Sequence, residues 1–268
     1  MSYQINTFLQ GLQVFVSLAF LLYASWSDLK TREVSNKVWA FFAPIGLALT
    51  LADFVSFEVN LNESLYWFGF SVGITSVLAV ALFYAGAYGG ADAKALICLS
   101  LALPFYPSRF IQLAFVPFIF PLSVFTNAVI LAALSVLYVL FRNIFWRQRA
   151  RRKLFEGLEN ESAGRKLLAL LSGYKIPLDK LEKSEFLYPL EDVKVSETGE
   201  KKRKLLIFPK DEQRESIVER IVTARKEGAS IDWVWTTPGL PMLVFITAGL
   251  ITALILGDFV WIILSRLL

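Results

Sequence analysis

The chain has 268 residues, of which 56% are hydrophobic and 15% aromatic, and its mean hydropathy of +0.54 is more than a soluble surface accommodates, so it reads as membrane-embedded. The formal charge of +4 then belongs with the bilayer rather than with nucleic acid. Histidine is absent, which removes Ser-His and Cys-His hydrolases, His-based zinc sites and HExxH metalloproteases together. Any chemistry must use carboxylates, lysine, hydroxyls or a bound cofactor.

In chain order, the opening MSYQINTFLQ lacks the basic region and cleavage site of a signal peptide, so the first apolar run, 7–26, is expected to stay as a membrane span. Further spans are predicted at 38–55 and 65–88, and a shorter one at 93–103, whose length suits a tilted or partly buried helix. The stretch from Arg109 to Asn143 is too long for one crossing and carries Pro117 and Pro121. It reads as an interfacial or re-entrant piece followed by a fifth span at 122–141. A sixth is predicted at 242–265.

Between the last two spans lie polar residues that cannot be membrane. Leu154, Phe155, Leu158, Leu167, Leu168 and Leu171 recur at near-helical spacing. Ser216 to Ala224 make a second amphipathic helix, opened by Pro209 and Asp211 and closed by Gly228, and 204–209 reads as a short strand. The expected architecture is an α-helical polytopic membrane protein with six transmembrane helices and a small α+β soluble insert between helices five and six. Its parts are a membrane domain over 1–142, the insert over 143–240, and the final span over 241–268.

Lys30, Arg32, Lys37 and Lys94 fall on the side that also carries most basic residues of the insert, against Arg109 and Arg266 opposite. The positive-inside rule therefore puts the N-terminus outside and the insert in the cytoplasm. Asp28, after span one, and Asp92, between spans three and four, share that cytoplasmic side. A charge near the hydrocarbon is costly, about 2.5–3.5 kcal/mol at its centre and less towards the interface, so each asks for a reason. Snorkelling, or pairing with Lys30, Arg32 or Lys94, is one. Gly86, Gly89 and Gly90 beside Asp92 supply another, because they open the backbone to a close extended chain. Two neighbouring aspartates share a proton, so the ionised one activates water while the protonated one polarises a carbonyl, with no metal or cofactor needed.

At these residues the sequence resembles the type IV prepilin peptidases, and within them the archaeal preflagellin and prepilin peptidases. The first motif matches at Asp28, Lys30, Arg32, Val34 and Asn36; the second reads Gly89, Gly90, Ala91, Asp92, Ala93, Lys94, with Ala91 in place of the second glycine of the strict G-x-G-D pattern. FPLSVFTN from Phe120, LFRNI from Leu140 and WVWTTPGLP from Trp233 also look like the archaeal branch. The resemblance implies an aspartyl endopeptidase with Asp28 and Asp92 catalytic, Gly89, Gly90 and Ala91 forming the loop that meets the substrate backbone, and Lys30, Arg32, Asn36 and Lys94 in support. It implies a precursor archaellin or pilin with a short basic leader as substrate, cut at the cytoplasmic face of the cell membrane. It brings no cofactor, and the lipid bilayer is the other partner.

An alternative keeps the same carboxylates as a relay in a transporter or proton-coupled channel. Asp53 and Asp258, near the outer ends of their spans, form a rival pair without adjacent glycines and read as interfacial or helix-terminal charges. Asn127 reads as an interhelical hydrogen-bonding residue. Trp39, Tyr66 and Trp67 read as an aromatic belt.

Overall fold

Within hydrocarbon only a helix pairs every backbone N–H and C=O inside its own segment, so the long apolar runs become helices. The computed structural model describes residues 2–56, 61–107, 118–184, 186–195, 201–206, 214–239 and 241–267. Its first five helices are α1 (Ser2–Thr31), α2 (Asn36–Ser56), α3 (Leu61–Tyr84), α4 (Gly90–Ala102) and α5 (Phe120–Ala150). A region of mixed structure follows: α6 (Ala163–Ser172), β1 (Tyr174–Pro177), α7 (Leu178–Lys183), β2 (Leu187–Pro189), β3 (Glu191–Val195), β4 (Lys201–Leu205), α8 (Arg214–Lys226) and β5 (Trp233–Pro238). The chain ends with α9 (Met242–Ile255) and α10 (Phe259–Leu267). It divides into two units, Met1–Ala133 with Pro241–Leu268, and Leu134–Leu240, the boundary falling inside α5.

Among the described residues four helices are long and apolar enough to cross a membrane, namely α1 over Thr7–Thr31, α2, α3 and α5, and α9 with α10 adds a fifth if that pair is one span. This is fewer than six crossings. The predicted fourth span is α4, whose 13 residues rise only about 20 Å, short of the ~30 Å hydrocarbon core. The predicted sixth is broken: α9 and α10 meet at 54° around Gly257, at φ 90°. The interfacial piece expected from Arg109 to Pro117 lies outside the described residues.

In the first unit α4 packs against α1, α2, α3 and α9, which leaves Ala95, Leu96, Leu99 and Ala102 fully buried. Lipid supplies no hydrophobic drive for helices to associate, so small residues and polar contacts do that work. A Cβ on Gly46 would come within 2.6 Å of the Ala102 side chain, and one on Gly249 within 2.5 Å of the Val124 carbonyl. Gln13 Nε2 donates to Thr50 Oγ1 at 3.1 Å, and Thr50 Oγ1 to the Leu101 carbonyl at 2.8 Å. Asn127 repairs the break before α10: its Nδ2 donates to the Gly257 carbonyl and its Oδ1 accepts from Phe259 N, both at 2.9 Å. Asp258 caps α10 by accepting from Val260 N at 2.8 Å. Trp39 is core rather than belt, 5% exposed, whereas Tyr66 and Trp67 are exposed.

The second unit holds an antiparallel sheet in the order β1-β5-β2 and a β3-β4 hairpin. Ile217, Val218, Ile221 and Ala224 of α8 are buried with Ile176 and Val234. Helix α6 begins later than the leucine spacing predicts. Gly157, at φ 78°, breaks the run, and Ser162 caps the helix by accepting from Arg165 N at 3.4 Å. Leu154, Phe155 and Leu158 are left outside it, packing around the fully buried Trp235. Strand β4 starts earlier than predicted, and Pro209 and Asp211 lie outside the described residues.

Candidate active site

Asp28 occupies the last turn of α1, partly buried. The helix stops because Arg32 adopts φ 57°, the left-handed conformation that ends many helices and that L-residues other than glycine adopt at a cost. Its amide still donates to the Asp28 carbonyl at 3.0 Å. Ser27 Oγ and Thr31 Oγ1 each donate to the Glu33 carbonyl, at 2.8 and 3.0 Å, bracing the turn. Val34 packs on the core, and Ser35 Oγ accepts from Lys37 N at 3.4 Å as α2 begins. Arg32 lies close enough for its charge to act on Asp28. Lys30 instead lies over the Trp26 ring, 5.1 Å from its centroid.

Asp92 enters from the other side, in the first turn of α4 and ahead of its apolar run. Gly86 requires the flexibility of glycine: at φ 71° it turns the chain out of α3. At Gly89 the reason is space, since a Cβ there would lie 3.1 Å from Asp92 Oδ2. The Gly89 amide uses that room to donate to Asp92 Oδ2 at 2.9 Å. Gly90 and Ala91 are already helical, and Ala91 packs on the core. The position where the strict motif has its second glycine therefore needs no glycine backbone here, and alanine, the best helix former, fits it.

The two motifs meet. Lys94 Nζ donates to Asn36 Oδ1 at 2.7 Å, across 58 positions of sequence, and the negative charge of Asp28 acts on Asp92. Burial pushes the Asp92 carboxyl up to about 6, the Gly89 amide opposes the rise, and Asp28 adds to it. Tyr88 completes the surroundings and carries no signal in the sequence. Its ring lies 5.9 Å from that of Phe125, Asp92's charge reaches it, and its hydroxyl is buried without a hydrogen-bond partner among the described residues. Of the predicted site residues, Asp28, Arg32, Asn36, Gly89, Gly90, Ala91, Asp92 and Lys94 thus belong to two linked segments, and Lys30 points to its own tryptophan. No three His, Cys, Asp or Glu side chains converge into a metal-binding group among the described residues.

Comparison with known proteins places these segments. Residues 15–140 match the model of the type IV leader peptidase family, and residues 165–259 match that of the archaeal peptidase A24 C-terminus, type II. Between them the type IV leader peptidase model and the archaeal peptidase A24 C-terminus model match most of the chain. Both motifs fall inside the first match. Similar relatives include a preflagellin peptidase of Methanococcus voltae, 29% identical over 91% of this chain and 94% of the relative. A preflagellin peptidase of Methanococcus maripaludis is 25% identical over 89% and 92%, and one of Methanocaldococcus jannaschii is 24% identical over 89% and 91%. These matches support a protease, and the long apolar helices fit a membrane protein.

Proposed function

We propose that this chain is a membrane aspartyl endopeptidase that removes the short basic leader from archaellin or type IV pilin-like precursors at the cytoplasmic face. The relatives' names supply the substrate class. The mechanism rests on one observation: the Lys94–Asn36 bond ties the second motif to the first where α1 ends and α4 begins, close enough for the Asp28 charge to reach Asp92.

Neighbouring like charges disfavour double ionisation, so the pair holds one proton below about pH 6. Asp92, whose affinity for a proton is raised, holds it and polarises the scissile carbonyl, while ionised Asp28 deprotonates the attacking water. The water adds to the carbonyl carbon, and the proton returns to the leaving amine as the C–N bond breaks. The buried Tyr88 hydroxyl, without a hydrogen-bond partner among the described residues and within reach of the Asp92 charge, donates to the carbonyl oxygen as it gains charge. The exposed Gly89 gives an extended substrate backbone its approach. Six crossings, with the N-terminus outside and 143–240 as a cytoplasmic insert, complete the reading, α4 counting as a short crossing enclosed by its neighbours. A relay of transported protons is less well supported, because the C-terminal end of α1 and the N-terminal end of α4 bring the two carboxylates to one place instead of spacing them along a path.

The test uses purified protein in detergent and a synthetic precursor, with the cut located by mass. Asp28→Asn and Asp92→Asn are each expected to lower kcat/KM by roughly 10³-fold or more, while circular dichroism stays that of the parent. Activity retained in either variant would overturn the catalytic pair.

A further inference from the structure

The second unit contains a cavity of about 250 Å³ bordered by Trp146, Arg152, Glu156, Lys175, Arg203 and Asp232, among others. Two of its three cations have partners. Arg203 Nη2 donates to Glu191 Oε1 and Oε2, at 2.7 and 2.9 Å, and to the Trp233 carbonyl at 3.0 Å. Arg152 Nη1 stands 3.5 Å from Asp232 Oδ2. Lys175 differs. It sits in β1 only 5% exposed, and among the described residues its ammonium has no hydrogen-bond acceptor or ion-pair partner, only the Trp146 ring at 5.2 Å.

A buried cation without a direct ion-pair partner is costly. The charges facing Lys175 are Arg203 and Arg152 on one side of the balance and Glu191 and Glu156 on the other. Glu191 is already engaged by Arg203, and Glu156 makes no ion pair with Lys175. Burial, then the Arg203 charge, pushes the lysine down to about 8. Two further donors beside the cavity, Trp146 Nε1–H and Arg203 Nε–H, are buried without acceptors among the described residues. An ammonium, an indole N–H and a guanidinium N–H therefore border one polar space, which Glu156 and Asp232 also border, and share one deficiency among the described residues, a hydrogen-bond acceptor.

We propose that this cavity binds a phosphate-class anion, with Lys175 as its principal cation and Trp146 and Arg203 as N–H donors. Water would satisfy donors but leave the lysine charge uncompensated. A carboxylate offers two coplanar oxygens, whereas a tetrahedral phosphate presents oxygens in several directions, which suits donors from a helix and two strands. The volume lies just under the ~300–1,000 Å³ typical of organic-ligand pockets, so the occupant is a small anion or a headgroup. Two sources share this chemistry, a lipid headgroup phosphate and a free phosphate. The lipid source has a route, because Trp146 belongs to the last two turns of α5, a helix apolar enough to cross a membrane.

The experiment uses the full-length protein and does not depend on cleavage. Tryptophan fluorescence and thermal unfolding are followed in neutral detergent while inorganic phosphate replaces chloride at constant ionic strength. The protein is also followed in phosphatidylcholine bilayers with and without phosphatidylglycerol. A saturable response is expected, weakened at least tenfold by Lys175→Met and at least threefold by Trp146→Phe, but less than threefold by Lys175→Arg. Response to phosphate in detergent identifies a free anion; response confined to phosphatidylglycerol identifies a lipid headgroup. Lys175→Met removes an uncompensated buried charge, so without anion its Tm should equal or exceed that of the parent. No response to either probe, or equal responses from the parent, Lys175→Met and Trp146→Phe, would overturn the proposal.

Discussion

Asp92 is held in a position that costs the fold stability. Its carboxyl is raised from 3.8 to about 6, so the folded chain binds this proton more tightly than the unfolded chain does. The stabilising contribution is complete below about pH 4 and is lost as pH rises through about 6. Asp92→Asn should therefore raise Tm at pH 7, by the equivalent of up to about 3 kcal/mol, with the difference vanishing near pH 4. Calorimetry at both pH values reads this directly, and a variant both more stable and inactive would separate catalytic loss from misfolding. Tyr88 permits the complementary test. Its hydroxyl has no hydrogen bond to lose among the described residues, so Tyr88→Phe should not lower Tm, while kcat falls by about tenfold or more and KM stays near the parent value. Steady-state kinetics on a precursor peptide decide it. Neither role was legible beforehand in the same degree: the aspartates stand out as charges beside apolar runs, whereas one tyrosine between two membrane helices does not.

At the scale of elements, sequence periodicity read existence better than continuity. The apolar runs mark α1, α2, α3 and α5, and the brevity of 93–103 suits a tilted or partly buried helix, of which burial is what the structure shows. The last run read as one span because Asp258 is a single charge in an otherwise apolar stretch, and nothing local announces that Asn127 supports a break there. That support is testable. Asn127→Leu strands the Gly257 carbonyl and the Phe259 amide, and thermal unfolding in detergent should show a loss of about 1–3 kcal/mol. In the second unit the sequence missed β5 at Trp233–Pro238, whose alternation is brief and whose partners β1 and β2 are only 4 and 3 residues long. Such strands are defined by pairing, which a linear reading does not see. The Lys94–Asn36 bond escaped for the same reason, although both residues had been singled out.

For the whole molecule, charge bias is the source of the proposed orientation, and cysteine chemistry can test it because Cys98, the one cysteine in the chain, is buried. Asn62→Cys, at the exposed start of α3, is expected to react with a membrane-impermeant maleimide in intact cells. Lys226→Cys, at the end of α8, should react only after lysis. Gel-shift labelling distinguishes the two, and the reverse pattern would invert the topology and place Asp28 and Asp92 on the outer face.

The helical backbone at Ala91 also bears on how such chains are found. A search pattern that demands glycine immediately before the aspartate encodes a composition habit, not a backbone requirement, and it would pass over this chain. The positions that admit no side chain without strain or displacement are Gly86, for its dihedral, and Gly89, for its nearness to the carboxylate. A pattern anchored there, with any small helix former allowed at 91, follows the geometry of this site and admits this chain, which the strict motif discards.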